Sequence, residues 1–181
     1  DNMFRSKKKK YIGLFGGSFD PPHKGHLKIS KESIKILRLN RLFWTITKKN
    51  PFKKKSFFSL EERIQKCKKI TKGNKIIKVE FLEKVVKSNK TIDVVKYLLK
   101  KNKNSYIYLI LGSDSLIEFH KWKQFRQILK LCKLVIFSRK GFDKKAKSSV
   151  FFKYLGDKKI IYIKNHKINI SSSIIRKTYL E

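Results

Sequence analysis

Two histidines follow a glycine-rich turn in the segment Gly16-Gly-Ser-Phe-Asp-Pro-Pro-His-Lys-Gly-His26. His23 and His26 are three residues apart, so in the first turn of a helix they would share a face. Glycines let a ligand approach the backbone, and the free N–H groups at a helix start attract anions. The segment lacks the Lys-Ser/Thr pair of a Walker A loop and the spacing of GxGxxG. We therefore predict a phosphate site of another kind; the alternative is a tight βα turn with two incidental histidines.

A second group of candidate phosphate ligands lies in the C-terminal part of the chain. Ser171-Ser-Ser173 precedes a helical pattern whose first turns carry Arg176, and from the residues alone these serines form an ordinary N-cap. Arg139 ends an apolar run and is one of seven arginines beside forty lysines. Because lysine is so strongly favoured in this chain, a retained arginine indicates that the planar fork of the guanidinium matters there.

The segment from Gly112 to Trp122 also combines side chains suited to a nucleotide. Asp114 could accept hydrogen bonds from ribose hydroxyls, or it could cap a helix. Trp122 offers a flat face to an aromatic ring, and burial in the core is the alternative. His120 lies in an apolar stretch, so we interpret it as a structural residue.

The elements that must position these residues can be read from hydrophobic periodicity. Apolar, β-rich runs alternate with helical patterns, which predicts an α/β fold with one Rossmann-like, doubly wound, mostly parallel sheet of five to six strands and helices on both faces. We expect residues 1–10 to be a basic, flexible N-terminus and residues 11–181 to form a single domain. Strands are predicted at 11–15, 42–47, 76–82, 106–111, 134–137 and 160–163, and helices at 24–39, 59–70, 91–101 and 171–180. The capping-box spacing of Ser59-Leu-Glu-Glu62 predicts the start of the second helix, and Thr91-Ile-Asp93 is predicted to form the N-cap of the third.

In such sheets, ligands bind at the carboxyl ends of the strands, where the strand order reverses. If the first strand and the strand at 106–111 are neighbours at that point, the loops that follow them form one cleft. Those loops, 16–26 and 112–122, are the two richest in unusual residues. The sequence therefore predicts that both loops face a common ligand.

The net charge of +34, from 47 Lys+Arg against 13 Asp+Glu, invites a nucleic-acid-binding interpretation. The excess is nearly all lysine, and Ala146 is the single alanine. Because Lys, Ile, Phe and Asn have AT-rich codons, drift in an AT-rich genome explains much of this charge. We find no clustered arginines or exposed aromatics in a recognised binding motif, and therefore expect no specific nucleic-acid partner. A basic nucleic-acid-binding module is the alternative from a different functional class.

Cysteine usage and hydropathy indicate the compartment. Cys67 and Cys132 have no CxxC or Cys/His ligand spacing, so we expect reduced, partly buried thiols. No apolar run approaches the ~20 residues of a membrane span, and the basic N-terminus lacks the apolar core of a signal peptide. These features predict a cytoplasmic protein without a membrane partner.

Five segments together resemble one family. Gly16 to His26 resembles the GGSFDPPHxGH signature of the HxGH nucleotidyltransferases, and specifically of the bacterial nicotinate-nucleotide adenylyltransferases. The other four resemble that family's NPxK, TID, GADxLxxFHxW and ISSTxIR motifs in the family's order, and the resemblance covers residues 11 to 180. These four are Asn50-Pro-Phe-Lys53, Thr91-Ile-Asp93, Gly112-Ser-Asp-Ser-Leu-Ile-Glu-Phe-His-Lys-Trp122 and Ile170-Ser-Ser-Ser-Ile-Ile-Arg176.

The resemblance implies an enzyme that transfers the adenylyl group of ATP to nicotinate mononucleotide, giving nicotinate adenine dinucleotide and pyrophosphate. Mg²⁺ would be carried mainly by the ATP phosphates, because the chain has no clustered carboxylates to cage it. Nicotinamide mononucleotide, phosphopantetheine, or a phosphorylated alcohol with CTP are the alternative substrates within the superfamily. The resemblance also implies the residues of the site. The implied catalytic residues are His23, His26 and Arg176, and the implied mononucleotide ligands are Thr91, Asp114, Trp122 and Lys123. The implied ATP ligands are Gly16, Gly17, Ser18, Phe19, Lys53, Arg139, Ser171, Ser172 and Ser173.

The sequence departs from the family's pattern at two positions. Ser173 replaces the threonine of ISSTxIR and keeps its hydroxyl, so only packing is affected. Lys48 stands where the family usually has a proline before the NPxK loop. We expect this change to loosen the loop without removing a ligand contact. The oligomeric state is not predicted.

Overall fold

The computed structural model of the protein describes residues 9–48, 55–113, 115, 119–138, 144–145 and 160–163. Strands and helices alternate, as the periodicity predicts. The elements are β1 (Lys10–Gly17), α1 (Lys24–Leu37), β2 (Arg41–Ile46), α2 (Leu60–Thr71), β3 (Ile77–Glu80), α3 (Leu82–Val86), α4 (Thr91–Lys101), β4 (Ser105–Gly112), a 3-10 turn (Phe119–Lys121), α5 (Phe125–Leu131), β5 (Cys132–Phe137) and β6 (Ile160–Ile163).

The six strands form one sheet in the order β3-β2-β1-β4-β5-β6, and every neighbouring pair is parallel. β1 lies at its centre, with Ile12 opposite Arg41 of β2 on one side and Ile107 of β4 on the other. The predicted Rossmann-like, doubly wound sheet of five to six strands is confirmed.

Helices cover both faces of the sheet, as predicted. Because side chains alternate along a strand, Ile12 and Leu14 pack toward α4 and α5, whereas Phe15 packs on the other side with the cluster that includes Leu37 of α1 and Cys67 of α2. Parallel strands buried on both faces need continuous apolar runs, and β4 and β5 have them. Position 13 is closely packed, because a Cβ added to Gly13 would lie 2.6 Å from Leu42 Cδ1.

Helix starts follow the predicted chemistry in one case and differ in another. Ser59 caps α2, as predicted, and its Oγ accepts the Glu62 N–H at 3.1 Å. The N-cap of α4 predicted within Thr91-Ile-Asp93 is wrong, because Lys90 is the cap and Thr91 is the first helical residue. The Asp93 carboxylate instead accepts the Ser88 hydroxyl at 2.6 Å, in the turn before the helix.

Two short helices, α3 and α5, were not predicted, and the strand expected at 76–82 is shorter because α3 begins at Leu82. The predicted C-terminal helix at 171–180 lies outside the described residues, as do residues 1–8, so the domain boundaries stay predictions. Within the part of the chain that the structure describes, no helix is long and apolar enough to cross a membrane.

Candidate active site

The strand order places the two candidate loops next to each other. β1 and β4 are neighbours in the sheet. From β1 the chain adds β2 and β3 on one side, and it then crosses to the other side of β1 to add β4, β5 and β6, so the strand order reverses between β1 and β4. This is the switch point at which α/β sheets bind ligands. The condition set by the sequence, that the first strand and the strand at 106–111 be neighbours, is met. The residues after Gly17 and after Gly112 therefore leave the same edge of the sheet.

The two histidines form a capping box at the start of α1. His23 is the N-cap rather than a residue of the first turn, and its Nδ1 accepts the Gly25 N–H at 3.0 Å. His26 returns the interaction, since its Nδ1 accepts the His23 N–H at 3.1 Å. The ring centroids are 3.9 Å apart, so the two side chains do lie together, as predicted.

These two hydrogen bonds determine where the imidazole protons reside. A nitrogen that accepts a hydrogen bond carries no proton, so each neutral ring holds its proton on Nε2. Both Nε2–H groups are donors, and they stand at the positive end of α1, where an anion is favoured. The arrangement can stabilise negative charge on a phosphoryl group.

An aromatic stack supports the His26 ring from the core side. Phe19 lies 4.8 Å from His26 and stacks on Trp44, also at 4.8 Å and with an interplanar angle of 14°. Trp44 Nε1 donates to Ser30 Oγ at 2.7 Å, and that hydroxyl donates to the His26 carbonyl at 2.8 Å. The orientation of His26 is thus set by its own helix and by a buried tryptophan of β2.

The predicted ATP ligands of the glycine-rich turn differ in accessibility. Gly16 is exposed at the end of β1, and Gly17 and Ser18 are partly exposed. A Cβ on Gly17 would lie 3.4 Å from the Phe19 ring, which is an ordinary van der Waals contact, so packing alone does not require a glycine here. Phe19 has a positive φ of 46° and is 2% exposed, which directs its ring into the core. Its side chain supports His26, and only its backbone is left as a candidate ATP contact.

Arg63 of α2 belongs to none of the sequence motifs and is not among the predicted site residues. It is 1% exposed, yet its guanidinium reaches the carboxyl ends of β1 and β2. Nη1 donates to the carbonyls of Ser18 at 2.8 Å and Thr47 at 2.7 Å, and Nη2 donates to the carbonyl of Lys48 at 2.8 Å. We call this set of bonds the Arg63 bridge. A signal was present in the sequence, because Arg63 lies four residues before Cys67 on the apolar stripe of α2.

Two carboxylates lie near the Arg63 bridge. Asp20 accepts the N–H groups of Phe57 at 2.6 Å and Phe58 at 2.8 Å, and Glu83 Oε1 accepts the Lys48 N–H at 3.0 Å. Burial lowers the pKa of the Arg63 guanidinium and raises the pKa of the Glu83 carboxyl. The carboxylates of Asp20 and Glu83 oppose the shift at Arg63, and Arg63 opposes the shift at Glu83.

The backbone of Lys48 is held at both its N–H and its carbonyl. A proline has no N–H and could not donate to Glu83. The loosening expected from lysine at this position is therefore not seen at Lys48 itself. The loop that follows, residues 49–54 with Lys53, lies outside the described residues.

The predicted mononucleotide ligands that the structure describes lie on the other side of the switch point. Thr91 begins α4 and is partly exposed, and Lys123 is exposed. Trp122 is partly buried and packs against the core, with its ring 4.9 Å from Phe119. The described helices α4 and α5 pack against each other, which keeps these residues on one side of the sheet.

Several predicted site residues lie outside the described residues, and their roles stay predictions. They are Lys53, Asp114, Arg139, Ser171, Ser172, Ser173 and Arg176. The side chain of His120, which is predicted to be structural, also lies outside the described residues. Among the residues that are described, no three His, Cys, Asp or Glu side chains are close enough together to hold a metal ion. The histidine pair and its supports are therefore the part of the site that the structure defines in atomic detail.

Comparisons with known proteins identify similar chains. Residues 14–178 match the family model described as cytidylyltransferase-like. A probable nicotinate-nucleotide adenylyltransferase of Pelagibacter ubique is 48% identical over 177 residues, covering 98% of this chain and 97% of the relative. Another, from Aquifex aeolicus, is 33% identical and covers 88% of this chain and 98% of the relative.

Solved structures show the same fold. The nicotinic acid mononucleotide adenylyltransferase of Plasmodium falciparum complexed with NaAD superposes with a TM-score of 0.72, covering 93% of this chain and 83% of that chain at 23% identity. A second structure of that protein, complexed with APC, has a TM-score of 0.71 at 22% identity.

Proposed function

Because the chain belongs to the cytidylyltransferase-like family and, within it, to the nicotinate-nucleotide adenylyltransferases, we propose that it transfers the adenylyl group of ATP to nicotinate mononucleotide. The products are nicotinate adenine dinucleotide and pyrophosphate, and the reaction is a step of NAD biosynthesis. The observation that carries the proposal is the histidine capping box at the switch point of a chain that matches these enzymes over nearly its whole length.

The chemistry needs positioning more than it needs a reactive side chain. The phosphate of the mononucleotide is already a nucleophile at neutral pH, so neither a general base nor a covalent intermediate is required. One of its oxygens attacks the α-phosphorus of ATP, and the bond to the β-phosphate breaks as the new P–O bond forms in line. Catalysis is then orientation of the two substrates and stabilisation of the charge that develops on the α-phosphate and on pyrophosphate.

We assign the Nε2–H groups of His23 and His26 to the oxygens of the α-phosphate. The capping bonds hold both Nδ1 atoms against backbone N–H groups, so the donors are oriented before the substrate binds. The stack of Phe19 and Trp44 behind His26 limits its movement. Donors that need no reorganisation are the ones that lower a transition-state barrier most.

The remaining assignments follow from the family resemblance. Lys53 and Arg176 assist the triphosphate, with Arg139 and the serines at 171–173 as further ATP contacts. Asp114 binds the ribose of the mononucleotide, and Trp122 stacks on its pyridine ring. Mg²⁺ would be carried mainly by the ATP phosphates, whose negative charge it would neutralise.

Selection of nicotinate over nicotinamide is assigned to backbone donors. N–H groups near Thr91 and just after Trp122, at Lys123, receive the nicotinate carboxylate. A carboxylate accepts from all of them, whereas an amide presents its own NH₂ and leaves donors unpaired. The lysine-rich surface adds a weaker preference for the more anionic substrate, and salt screens it.

A pyrophosphate-release assay tests the function. ATP is supplied with nicotinate mononucleotide, nicotinamide mononucleotide or phosphopantetheine in parallel reactions, and the adenylylated product is identified by mass. We expect rapid release with nicotinate mononucleotide and formation of nicotinate adenine dinucleotide. Release with another acceptor alone would reassign the substrate within the superfamily, and no release with any acceptor would refute the proposed activity.

A further inference from the structure

We propose that Arg63 is a positioning residue for adenylyl transfer, which holds the histidine-bearing loop after β1 in register with the loop after β2. The inference rests on the proposed function for its kinetic consequence. Its structural basis is the Arg63 bridge, in which one buried guanidinium donates to carbonyls of both loops.

The geometry of the bridge depends on the guanidinium fork. A single nitrogen, Nη1, donates to Ser18 of the first loop and to Thr47 of the second, and Nη2 adds Lys48. These acceptors lie 15 to 45 positions from Arg63 in the chain. A planar group with several donors can satisfy them together, whereas the compact ammonium of lysine cannot reproduce the same directions.

Stability alone does not account for this residue. The Arg63 side chain is 1% exposed, and its Nε has no hydrogen-bond partner within the described residues. Burying the guanidinium costs desolvation free energy, which its hydrogen bonds to the carbonyl oxygens offset, so an arginine is not the residue type that packing alone favours. What an apolar residue could not do is fix three carbonyls of two separate loops.

The bridge also bears on the loop that carries Lys53. Lys48 precedes that loop and is held by Arg63 and Glu83, while Phe57 and Phe58 follow it and are held by Asp20. Asp20 and Ser18 both belong to the segment between β1 and His23. The described residues on both sides of the Lys53 loop are thus linked to the segment that leads into the histidine capping box. Phe57 and Phe58 bond Asp20 of that segment directly, and Lys48 is linked to Ser18 of that segment through Arg63. Displacing one flank would change the distance between phosphate ligands on the two loops.

Two substitutions test the proposal. Arg63→Met keeps the volume and removes every donor, and Arg63→Lys keeps the charge without the fork. Cys67→Ala is the matched control, because Cys67 is buried one turn further along α2 and its side chain forms no hydrogen bond with the described residues of either loop. All proteins are assayed at a temperature at which circular dichroism shows each to be folded.

We expect Arg63→Met to lower kcat by about 30- to 100-fold, the size of effect that a misplacement of roughly 1 Å causes. Arg63→Lys should recover part of this loss, and Cys67→Ala should stay within about threefold of the wild type. If Arg63→Met stays within threefold, or Cys67→Ala loses as much activity as Arg63→Met, the positioning assignment is overturned. If Arg63→Met does not fold, Arg63→Lys carries the test, and kcat within threefold of the wild type overturns the assignment.

Amide hydrogen exchange provides a readout that does not depend on activity. The N–H groups of Thr47, Phe57 and Phe58 bond Gly17 and Asp20, so loss of the bridge should speed their exchange by about tenfold in Arg63→Met and Arg63→Lys but not in Cys67→Ala. Unchanged exchange in the Arg63 variants would refute the bridge. A wild-type protein that releases no pyrophosphate would refute the proposed function, and the exchange experiment would still decide the structural claim.

Discussion

Replacing His23 by asparagine separates the two properties that this side chain combines. His23 caps α1 through Nδ1, and its Nε2–H is assigned to the α-phosphate of ATP. Asparagine is among the best N-cap residues, because its side-chain oxygen can accept the Gly25 N–H, but it has no donor where Nε2 stands. His23→Ala removes both the cap and the donor.

The structure allows the two effects to be estimated separately. Loss of an N-cap costs about 1 kcal/mol, which in a domain of 150 to 250 residues lowers Tm by roughly 2–4 °C. We therefore expect His23→Ala to melt roughly 2–4 °C below the wild type, and His23→Asn to melt within about 1 °C of it. Loss of a preorganised donor to developing charge lowers kcat by about 10²- to 10³-fold, and both variants should show this loss equally.

The assay is pyrophosphate release at saturating ATP and nicotinate mononucleotide, combined with thermal unfolding followed by circular dichroism. If His23→Asn keeps kcat within threefold of the wild type while His23→Ala loses it, the histidine acts only as a cap. That result would refute the assignment of Nε2 to the transition state. Equal Tm values for His23→Ala and the wild type would refute the cap instead.

Three further outcomes are expected. Trp122→Ala should raise KM for the mononucleotide well above any rise in KM for ATP, because stacking stabilises ground and transition states alike. Trp122 also packs against Phe119, so an equal rise in KM for both substrates would identify it as a core residue. kcat/KM for nicotinate mononucleotide should exceed that for nicotinamide mononucleotide by at least roughly 100-fold, since mispaired buried donors cost about 1–3 kcal/mol each. A preference that vanishes in about 0.5 M salt would show that the charge of the surface lysines, and not the backbone donors, causes the selectivity. Burial raises the pKa of both Cys67 and Cys132 to about 12, so neither thiol should ionise appreciably at pH 8 in the folded protein. A thiol reagent should then modify both only after unfolding, and rapid labelling of the native protein would contradict their burial.

The parallel sheet could be predicted from periodicity because its strands are long apolar runs. β4 and β5 are buried on both faces, so nearly every residue in them is apolar, and continuous apolar runs of this length are typical of strands in parallel sheets. The helices α3 and α5 escaped prediction because they have five and seven residues. Helices that short are not stable by themselves and form only because the core packs against them.

The chemistry of the glycine-rich turn could also be predicted, because the residues that act together are neighbours in the chain. His23 and His26 are three positions apart, and that spacing alone brings their rings together at a helix start. That His23 is the cap, and that both rings are held through Nδ1, required the backbone geometry of the turn. Had the helix begun one residue earlier, His23 would be its first helical residue and would not be its N-cap.

Tertiary structure alone decided how the turn is supported. Trp44 of β2 packs near the His26 ring, and Arg63 donates to the carbonyl of Ser18, which is 45 positions away in the chain. Asp20 accepts backbone N–H groups from residues 37 and 38 positions away. Local periodicity reports which face of an element is buried, so it places Arg63 on the apolar stripe of α2 but does not identify its partners. Those partners are backbone carbonyls, and every residue has one, so their identity carries no sequence signal. The sequence by itself determines the fold class and brings His23 and His26 together, and the packing of β1, β2 and α2 determines which buried groups hold that turn in place.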